Sequence, residues 1–130
     1  MVKEQIFNIS TFNVRGLNNE IKRNQLAQNI INYNVDVACL QETKTEKPIN
    51  EDIRGGRFIN MGAGIRHYGN GFFVHKRWVK SIHKYWKVCE RISVFQIKTR
   101  ERKVICIVNV YAPTSVRVDK DGTELDSLYR

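Results

Sequence analysis

The spacing of apolar residues predicts a strand followed by a helix in the first third of the chain. Gln5–Phe12 is rich in β-branched and aromatic residues, which predicts a strand with Asn13 at its carboxyl tip. Helical spacing follows over Asn19–Tyr33, where Asn18 or Asn19 would cap the start and Asn34 would end the helix in left-handed backbone. The apolar stripe of this helix consists of Leu26, Ala27, Ile30 and Ile31, and its polar face of Lys22, Arg23, Gln25 and Asn29.

Two later runs are apolar at both odd and even positions, which is typical of strands buried on both faces. Val35–Leu40 is the first, and Glu42 lies just past its end. Lys103–Val110 is the second and the clearest. Both are therefore predicted to be central strands.

The remaining segments predict further strands and loops. Thr43–Gly56 is polar and reads as a long loop, and 62–70 is glycine-rich. Strands are expected at 57–61 and 71–75, an antiparallel pair at 81–88 and 91–98 hinged at Cys89 and Glu90, a charged turn at 99–102, and a polar loop leading into a short helix over 115–130. The expected architecture is α+β, with one mostly antiparallel sheet and the early helix on one face. Something else must cover the other face.

Composition supports one folded domain over residues 1–130. The chain has 42% apolar and 27% charged residues, which is globular rather than disordered composition. No apolar stretch reaches the roughly 20 residues of a membrane helix, and the first residues do not read as a secretory signal. Cys39, Cys89 and Cys106 lack paired metal spacing, and Cys39 and Cys106 are expected to act as small apolar residues in a reducing compartment. A nuclear or cytoplasmic location follows from these features.

The net charge of +9 comes from the middle of the chain, where residues 62–110 hold 11 basic and 2 acidic side chains. Such an excess favours a polyanion, most often nucleic acid, although a solvated basic surface would give the same composition.

Three polar residues at the ends of apolar strands suggest phosphodiester chemistry. A carboxylate at a strand tip suits Mg²⁺, which keeps several waters and is held by one or two carboxylates plus a substrate phosphate. Glu42 fits that description, Asn13 could orient a water, and the Tyr111 hydroxyl could donate to a phosphate oxygen. Singly, each has a plainer explanation: a solvated Glu, turn chemistry for the Asn and a packed rim for the Tyr.

The segments 10–17, 39–44 and 109–114 together resemble the first motifs of the endonuclease/exonuclease/phosphatase superfamily. The likeness is greatest to the apurinic-endonuclease-like domain of non-LTR retrotransposons and extends from about Ile6 to Tyr129. It implies the N-terminal half of a DNase I-like α/β sandwich, with Mg²⁺ or Mn²⁺ as cofactor. It also implies that Glu42 binds the metal, Asn13 shapes the metal and water network, and Tyr111 contacts the scissile phosphate. Thr43 and Lys44 would line the same mouth, and Arg15, Lys44 and Tyr111 would contact DNA.

The chain departs from the family pattern in two ways. Arg15 stands where apurinic endonucleases often have Asp, which excludes a second metal-binding carboxylate there. The Gly-Asp-Phe-Asn segment and the later Asp-His pair of the family have no match, and His67, His75 and His83 lie outside its histidine motif. The second half of the domain is therefore expected to be missing. An uncovered apolar sheet face would then favour self-association or complementation by that half.

Three functions stay open at this point. The first is a truncated, Mg²⁺-dependent DNA endonuclease domain of a retroelement, inactive or nearly so by itself. The second is a noncatalytic basic remnant that binds nucleic acid through residues 66–103. The third is a lipid or inositol phosphatase of the same superfamily, which the basic charge disfavours.

Overall fold

The computed structural model describes residues 6–17, 19–45, 47–62 and 69–112, which form eight strands and two helices. In chain order these are β1 (Ile9–Asn13), α1 (Glu20–Asn32), β2 (Val37–Gln41), β3 (Ile49–Ile53), β4 (Gly56–Asn60), β5 (Asn70–His75), α2 (Lys76–Val79), β6 (Ile82–Cys89), β7 (Ile92–Lys98) and β8 (Val104–Val110). The segment 115–130, predicted to be a loop and short helix, lies outside the described residues, as does His67.

Local signals set both ends of α1, as predicted. The Asn19 side chain accepts a hydrogen bond from the Ile21 N–H at 2.7 Å, which caps the first turn. Asn34 has φ +55°, the left-handed conformation that ends many helices. Ala27 and Ile30 are buried, and Leu26 and Ile31 pack against the same core.

The first sheet, sheet A, has the strand order β1-β2-β5-β4-β3. β1 and β2 are parallel, with Asn13 opposite Gln41, and α1 is the crossover that joins them. The other neighbours are antiparallel. The carboxyl ends of β1 and β2 consequently meet at one edge of the sheet.

Strand β2 is covered on both faces, which confirms that it is central. Ala38 and Leu40 belong to the core beneath α1, and Val37 and Cys39 belong to the core on the opposite face. Burial also raises the pKa of the Cys39 thiol to about 11. This thiol behaves as the small apolar residue that its sequence context predicts.

A second sheet, sheet B, covers the face of sheet A opposite α1. Its order is β6-β7-β8, all antiparallel. Phe95 on β7 packs against Phe72 on β5, with ring centroids 5.1 Å apart. At one margin, the Asn50 amide donates to the Tyr85 hydroxyl at 2.9 Å and joins β3 to β6.

The α+β class and the mostly antiparallel pairing are confirmed, but the expectation of one sheet is wrong. The 81–98 hairpin and the 103–110 strand form sheet B and do not join sheet A. Phe95 and Ile97 on β7 belong to the core that sheet B shares with sheet A, which makes this second layer possible.

The expectation of a loop over Thr43–Gly56 is also wrong, because β3 and the start of β4 lie within it. Ile49 and Ile53 face the α1 core, but the acidic residues between them hide the strand pattern. Charged residues are common on edge strands such as β3. Glu51 on this strand accepts from the Arg23 guanidinium at 2.8 Å, so Arg23 is largely buried and does not face water as expected.

Strand β8 is not the central strand that its apolar residues predict. It is an edge of sheet B in the described part of the chain, and only alternate residues, Ile105, Ile107 and Asn109, face sheet A. Outward-facing Val104, Val108 and Val110 are 44%, 54% and 45% exposed. Cys106 on the same outer face is exposed, contrary to its expected burial. Among the described residues, these valines leave part of the outer face of sheet B apolar and exposed, as the same run predicts.

No helix in the described ranges is long and apolar enough to cross a membrane.

Replacing Phe95 with Ala should lower the free energy of unfolding by about 3–5 kcal/mol, because the ring fills the contact between the two sheets. Urea unfolding followed by circular dichroism measures this change. Val108→Ala on the neighbouring strand is the matched control and should cost well under 1 kcal/mol, since that side chain is 54% exposed. Equal losses in the two variants would contradict the packing of sheet B on sheet A.

Candidate active site

The predicted metal ligand and its neighbouring amide lie at the same sheet edge. Asn13 is the last residue of β1, and Glu42 directly follows β2, its parallel neighbour. Asn13 is exposed and Glu42 is half-buried. The topology therefore brings together two residues that are 29 positions apart in the sequence.

Backbone hydrogen bonds continue the parallel pairing beyond the ends of the strands. Val14 N–H donates to the Gln41 carbonyl at 3.0 Å, Gly16 N–H to the Glu42 carbonyl at 2.6 Å, and Leu17 N–H to the Thr43 carbonyl at 2.8 Å. The loop after β1 is thus fastened to the loop after β2. These bonds fix the backbone from which Asn13 and Glu42 project.

The loop backbone at this edge is strained. Arg15, Glu42 and Lys44 have φ values of +51°, +56° and +55°, a conformation that non-glycine residues seldom adopt. Such strain persists where surrounding bonds fix the conformation, and it concentrates at functional sites. The sequence motifs predict a metal or DNA contact for each of these three residues, on grounds that do not involve backbone conformation.

The two predicted cations flank Gly16. Arg15 is exposed, and its carbonyl accepts from the Lys22 ammonium at 3.3 Å. Lys44 is half-buried, and its Cδ lies 3.8 Å from the position that a Cβ on Gly16 would occupy. Both cations are therefore close to Glu42 along the same pair of loops.

Thr43 does not line the mouth as expected, because it is fully buried. Its N–H donates to the Gly69 carbonyl at 3.0 Å, and its hydroxyl lies 2.6 Å from the Asn60 amide. Oriented by its surroundings, that amide nitrogen also donates to the Asn70 carbonyl at 3.1 Å, while its oxygen accepts from Gly62 N–H at 3.3 Å and from the Thr45 hydroxyl. Thr43 thus anchors the Glu42 loop from beneath.

Three buried amide side chains, Gln41, Asn70 and Asn109, join the two sheets directly below this edge. We refer to them as the amide cluster. The Asn109 side-chain nitrogen donates to the carbonyls of Leu40 and Gly71, each at 3.0 Å. Its oxygen accepts from the Gln41 amide at 2.8 Å, and the Asn70 amide donates to the Asn109 carbonyl at 3.2 Å.

The amide cluster determines the end of the molecule at which Tyr111 lies. Tyr111 follows Asn109 by two residues, and its N–H donates to the Arg91 carbonyl at 2.8 Å. Since Asn109 contacts Leu40 and Gln41, this segment of sheet B ends on the same side of the molecule as Glu42. Asn13, Glu42 and Tyr111 therefore share one end of the sandwich.

The sequence motifs contained Gln41 and Asn109, but sequence reasoning assigned them no role, and it missed Asn70. The available signal was Asn109 itself, an amide between two valines in an otherwise apolar strand. A buried amide requires hydrogen-bond partners, so such a residue indicates a polar contact across the core. Its partners, 68 and 69 residues away in the sequence, could not be identified.

The residues of this edge are suited to hold part of a divalent metal site. Glu42 supplies a half-buried carboxylate, and Asn13 supplies an exposed amide at the end of the neighbouring strand. In the described ranges, no three His, Cys, Asp or Glu side chains are grouped so that they could hold a metal ion by themselves. The donor set suits Mg²⁺ held by one carboxylate, waters and a substrate phosphate better than Zn²⁺ in a closed protein site.

Asn109→Ala should lower the free energy of unfolding by roughly 3 kcal/mol or more, because it removes three buried hydrogen bonds between the sheets, two to the carbonyls of Leu40 and Gly71 and one from the Gln41 amide. Urea denaturation measures the loss. Asn50→Ala removes one exposed amide hydrogen bond and serves as the control, with a cost of about 1 kcal/mol or less. A loss no larger than that of the control would mean that the amide cluster does not hold the sheets together.

Comparisons with known proteins agree with this architecture. The model of the Endonuclease/Exonuclease/phosphatase family matches residues 10–119. Among solved structures, the AP endonuclease LMAP from Leishmania major is similar, with a TM-score of 0.59 and 20% sequence identity. The match covers 81% of this chain and 40% of that protein, so this chain spans less than half the length of its structural relative. No curated protein matched the chain.

The strand-tip geometry, the likeness in fold and the family match over most of the sequence lead to one conclusion. This chain belongs to the endonuclease/exonuclease/phosphatase family.

Proposed function

We propose that one end of the sandwich forms the metal- and phosphate-binding side of a divalent-metal-dependent endonuclease domain that cleaves DNA phosphodiester bonds. The residues concerned are Asn13, Arg15, Glu42, Lys44 and Tyr111. The observation that carries the proposal is the convergence of Asn13 and Glu42 at the carboxyl ends of two hydrogen-bonded parallel strands. The left-handed backbone of Glu42 supports it, since ordinary loop chemistry does not require strain at a glutamate. Family membership makes phosphoester hydrolysis the natural reaction class.

A bound Mg²⁺ or Mn²⁺ would supply charge neutralisation at the phosphoryl oxygens and at the leaving oxygen. Glu42 would hold that ion, and Asn13 would orient a neighbouring water through its donor and acceptor groups. The Tyr111 hydroxyl would donate to a nonbridging phosphate oxygen. Arg15 and Lys44 would bind the flanking phosphates, where Arg offers a planar set of donors and Lys a point charge.

The finer proposal is target-DNA nicking for a retroelement of the non-LTR type. The segments that support it are Gly16-Leu17-Asn18, Ile21-Lys22-Arg23 and Tyr111-Ala112-Pro113-Thr114. The resemblance implies that the groups that orient the nucleophile and the leaving group belong to later segments, which these 130 residues do not contain. We therefore propose that the residues present bind metal and phosphate but do not turn over alone.

Mn²⁺ should broaden the amide NMR signals of Asn13, Glu42 and Thr43 selectively, because a paramagnetic ion held by the Glu42 carboxylate relaxes nearby nuclei. Glu42→Gln should abolish the effect, since a neutral amide is a poor ligand for a hard cation. Asp52→Asn is the control, because its exposed carboxylate on β3 lies at the far edge of sheet A. Broadening that persists in Glu42→Gln, or that centres on β3, would exclude the proposed metal site.

Supercoiled plasmid incubated with this chain and Mg²⁺ should be nicked at least 100-fold more slowly than by a complete domain of the family. Loss of a general base alone costs typically 10²- to 10⁴-fold. Gel quantification of open-circular product gives the rate. Robust nicking by the 130 residues, abolished by Glu42→Ala, would overturn the proposed incompetence. The noncatalytic nucleic-acid-binding function would be favoured instead by two results together. DNA affinity would fall steeply with salt and be unchanged in Glu42→Ala, and the NMR titration would detect no Mn²⁺ bound at Glu42.

A further inference from the structure

Six exposed cationic side chains lie at the end of the sandwich opposite Glu42, where α2 meets the turn between β7 and β8. They are Lys76, Arg77, Lys80, Arg100, Arg102 and Lys103, and we call them the distal basic cluster. The sequence showed a basic excess over residues 62–110 and not its position. More than half of that excess lies here.

Hydrogen bonds hold the two segments of the cluster together. Lys98 N–H donates to the Ser81 carbonyl at 2.8 Å, which joins the end of β7 to the residues after α2. A surface cavity of about 640 Å³ is lined from both sides, by Arg77 and Ser81 and by Thr99 and Arg100. Arg77 and Arg100, one cation from each segment, therefore border one concave surface.

The turn that contributes half of the cluster is well defined. Thr99 N–H donates to the Lys103 carbonyl at 2.7 Å, and Arg102 N–H donates to the Thr99 carbonyl at 3.0 Å. The Thr99 hydroxyl also accepts from Lys103 N–H at 3.2 Å. These bonds fix the backbone that presents Arg100 and Arg102, so a ligand there would meet a preformed surface.

The cluster is separate from the candidate active site. β8 runs from Val104, beside the turn, to Val110, beside Tyr111, and seven residues of strand span roughly 20 Å. β5 gives the same direction, because its first residue pairs with Gln41 and its last residue immediately precedes α2. A phosphate bound at the cluster is therefore far from Glu42.

The positive charge of the cluster is only partly neutralised. Buried Asp36 accepts from the Arg77 guanidinium at 2.6 Å, and Glu101 lies 3.6 Å from the Lys103 ammonium. Within the described ranges, the structure pairs none of the other four cations with a carboxylate. Burial lowers the pKa of the adjacent His75; Arg77 and Lys76 lower it further, whereas Asp36 acts in the opposite direction. The local potential is accordingly positive.

We propose that the distal basic cluster binds the phosphate backbone of a second nucleic-acid segment, separate from the one at Glu42. Cations spread over two fixed elements suit a chain of phosphates, whose contacts are electrostatic and independent of sequence. A lipid surface fits less well, because the apolar residues of α2, Trp78 and Val79, pack into the core and are not available for insertion. Given the separation, one short duplex does not reach both sites. The chain would then bridge two nucleic-acid segments.

The test uses a 12-base-pair duplex, EDTA and the Arg15→Gln/Lys44→Gln background, so that contacts at the candidate active site do not register. Adding Lys80→Gln/Arg100→Gln should weaken binding at least tenfold at low salt. It should also reduce the slope of log K against log salt by about 2, since each phosphate contact contributes about 0.9. Adding Lys47→Gln/Lys84→Gln is the control, with the same charge change at two exposed lysines elsewhere. Arg77 is retained because it pairs with Asp36.

Equal affinities and slopes in the two charge-matched variants would overturn the proposal. In the unaltered chain, the duplex should also shift the amide NMR signals of Lys80, Arg100 and Arg102, and unshifted signals would equally overturn it. Loss of binding to phosphatidylserine vesicles with duplex binding unchanged would assign the cluster to a membrane surface instead. All measurements are made without divalent metal, so failure of the Glu42 site does not affect the result.

Discussion

The four hydrogen bonds through which the amide cluster joins the two sheets are the constraint on which the candidate site depends. The Asn109 side chain pairs with β2 and β5 of sheet A while its own backbone belongs to sheet B. Apolar contacts such as that of Phe72 with Phe95 also join the two sheets, but they are only weakly directional. Hydrogen bonds between buried amide side chains require a defined geometry, because a buried donor or acceptor left without a partner costs free energy of folding. The cluster therefore fixes not only that the sheets pack but also in which register their strand ends meet.

That register connects stability to the proposed chemistry. Glu42 is held from three sides: by the β1 loop through Gly16, by Thr43 anchored on Asn60 and Gly69, and by the amide cluster through Gln41. Such multiple fixation can maintain left-handed backbone at a glutamate. It also means that a metal ligand at this position would be ordered before any ion or substrate binds, which reduces the entropic cost of binding.

The features that could be predicted from the sequence depend on local or one-dimensional information. Asn19 caps the start of α1 and Asn34 follows its end in left-handed backbone, both as predicted from short-range signals. The central position of β2 is predicted by its apolar residues at both odd and even positions. The position of Glu42 followed from that strand. The partners of Asn109 are far away in sequence, so its role could not be read from the chain. β3 was missed because acidic residues mask its alternation of apolar and polar positions. β8 was misjudged because apolar residues at both parities show that both faces of a strand are suited to burial, and not whether another element packs against each face.

The outer valines of β8 also bear on how the protein behaves as a colloid. Val104, Val108 and Val110 present apolar surface in a strand whose edge has no second neighbour in the described ranges, while the chain carries a net charge of +9. Electrostatic repulsion between these positively charged protein molecules keeps them apart, and it weakens as the Debye length falls to about 3 Å at 1 M salt. Apolar attraction is not screened in that way. Ionic strength therefore sets the balance between dispersed and associated protein molecules. Low salt disfavours contact between the open β8 edge of one molecule and that of another.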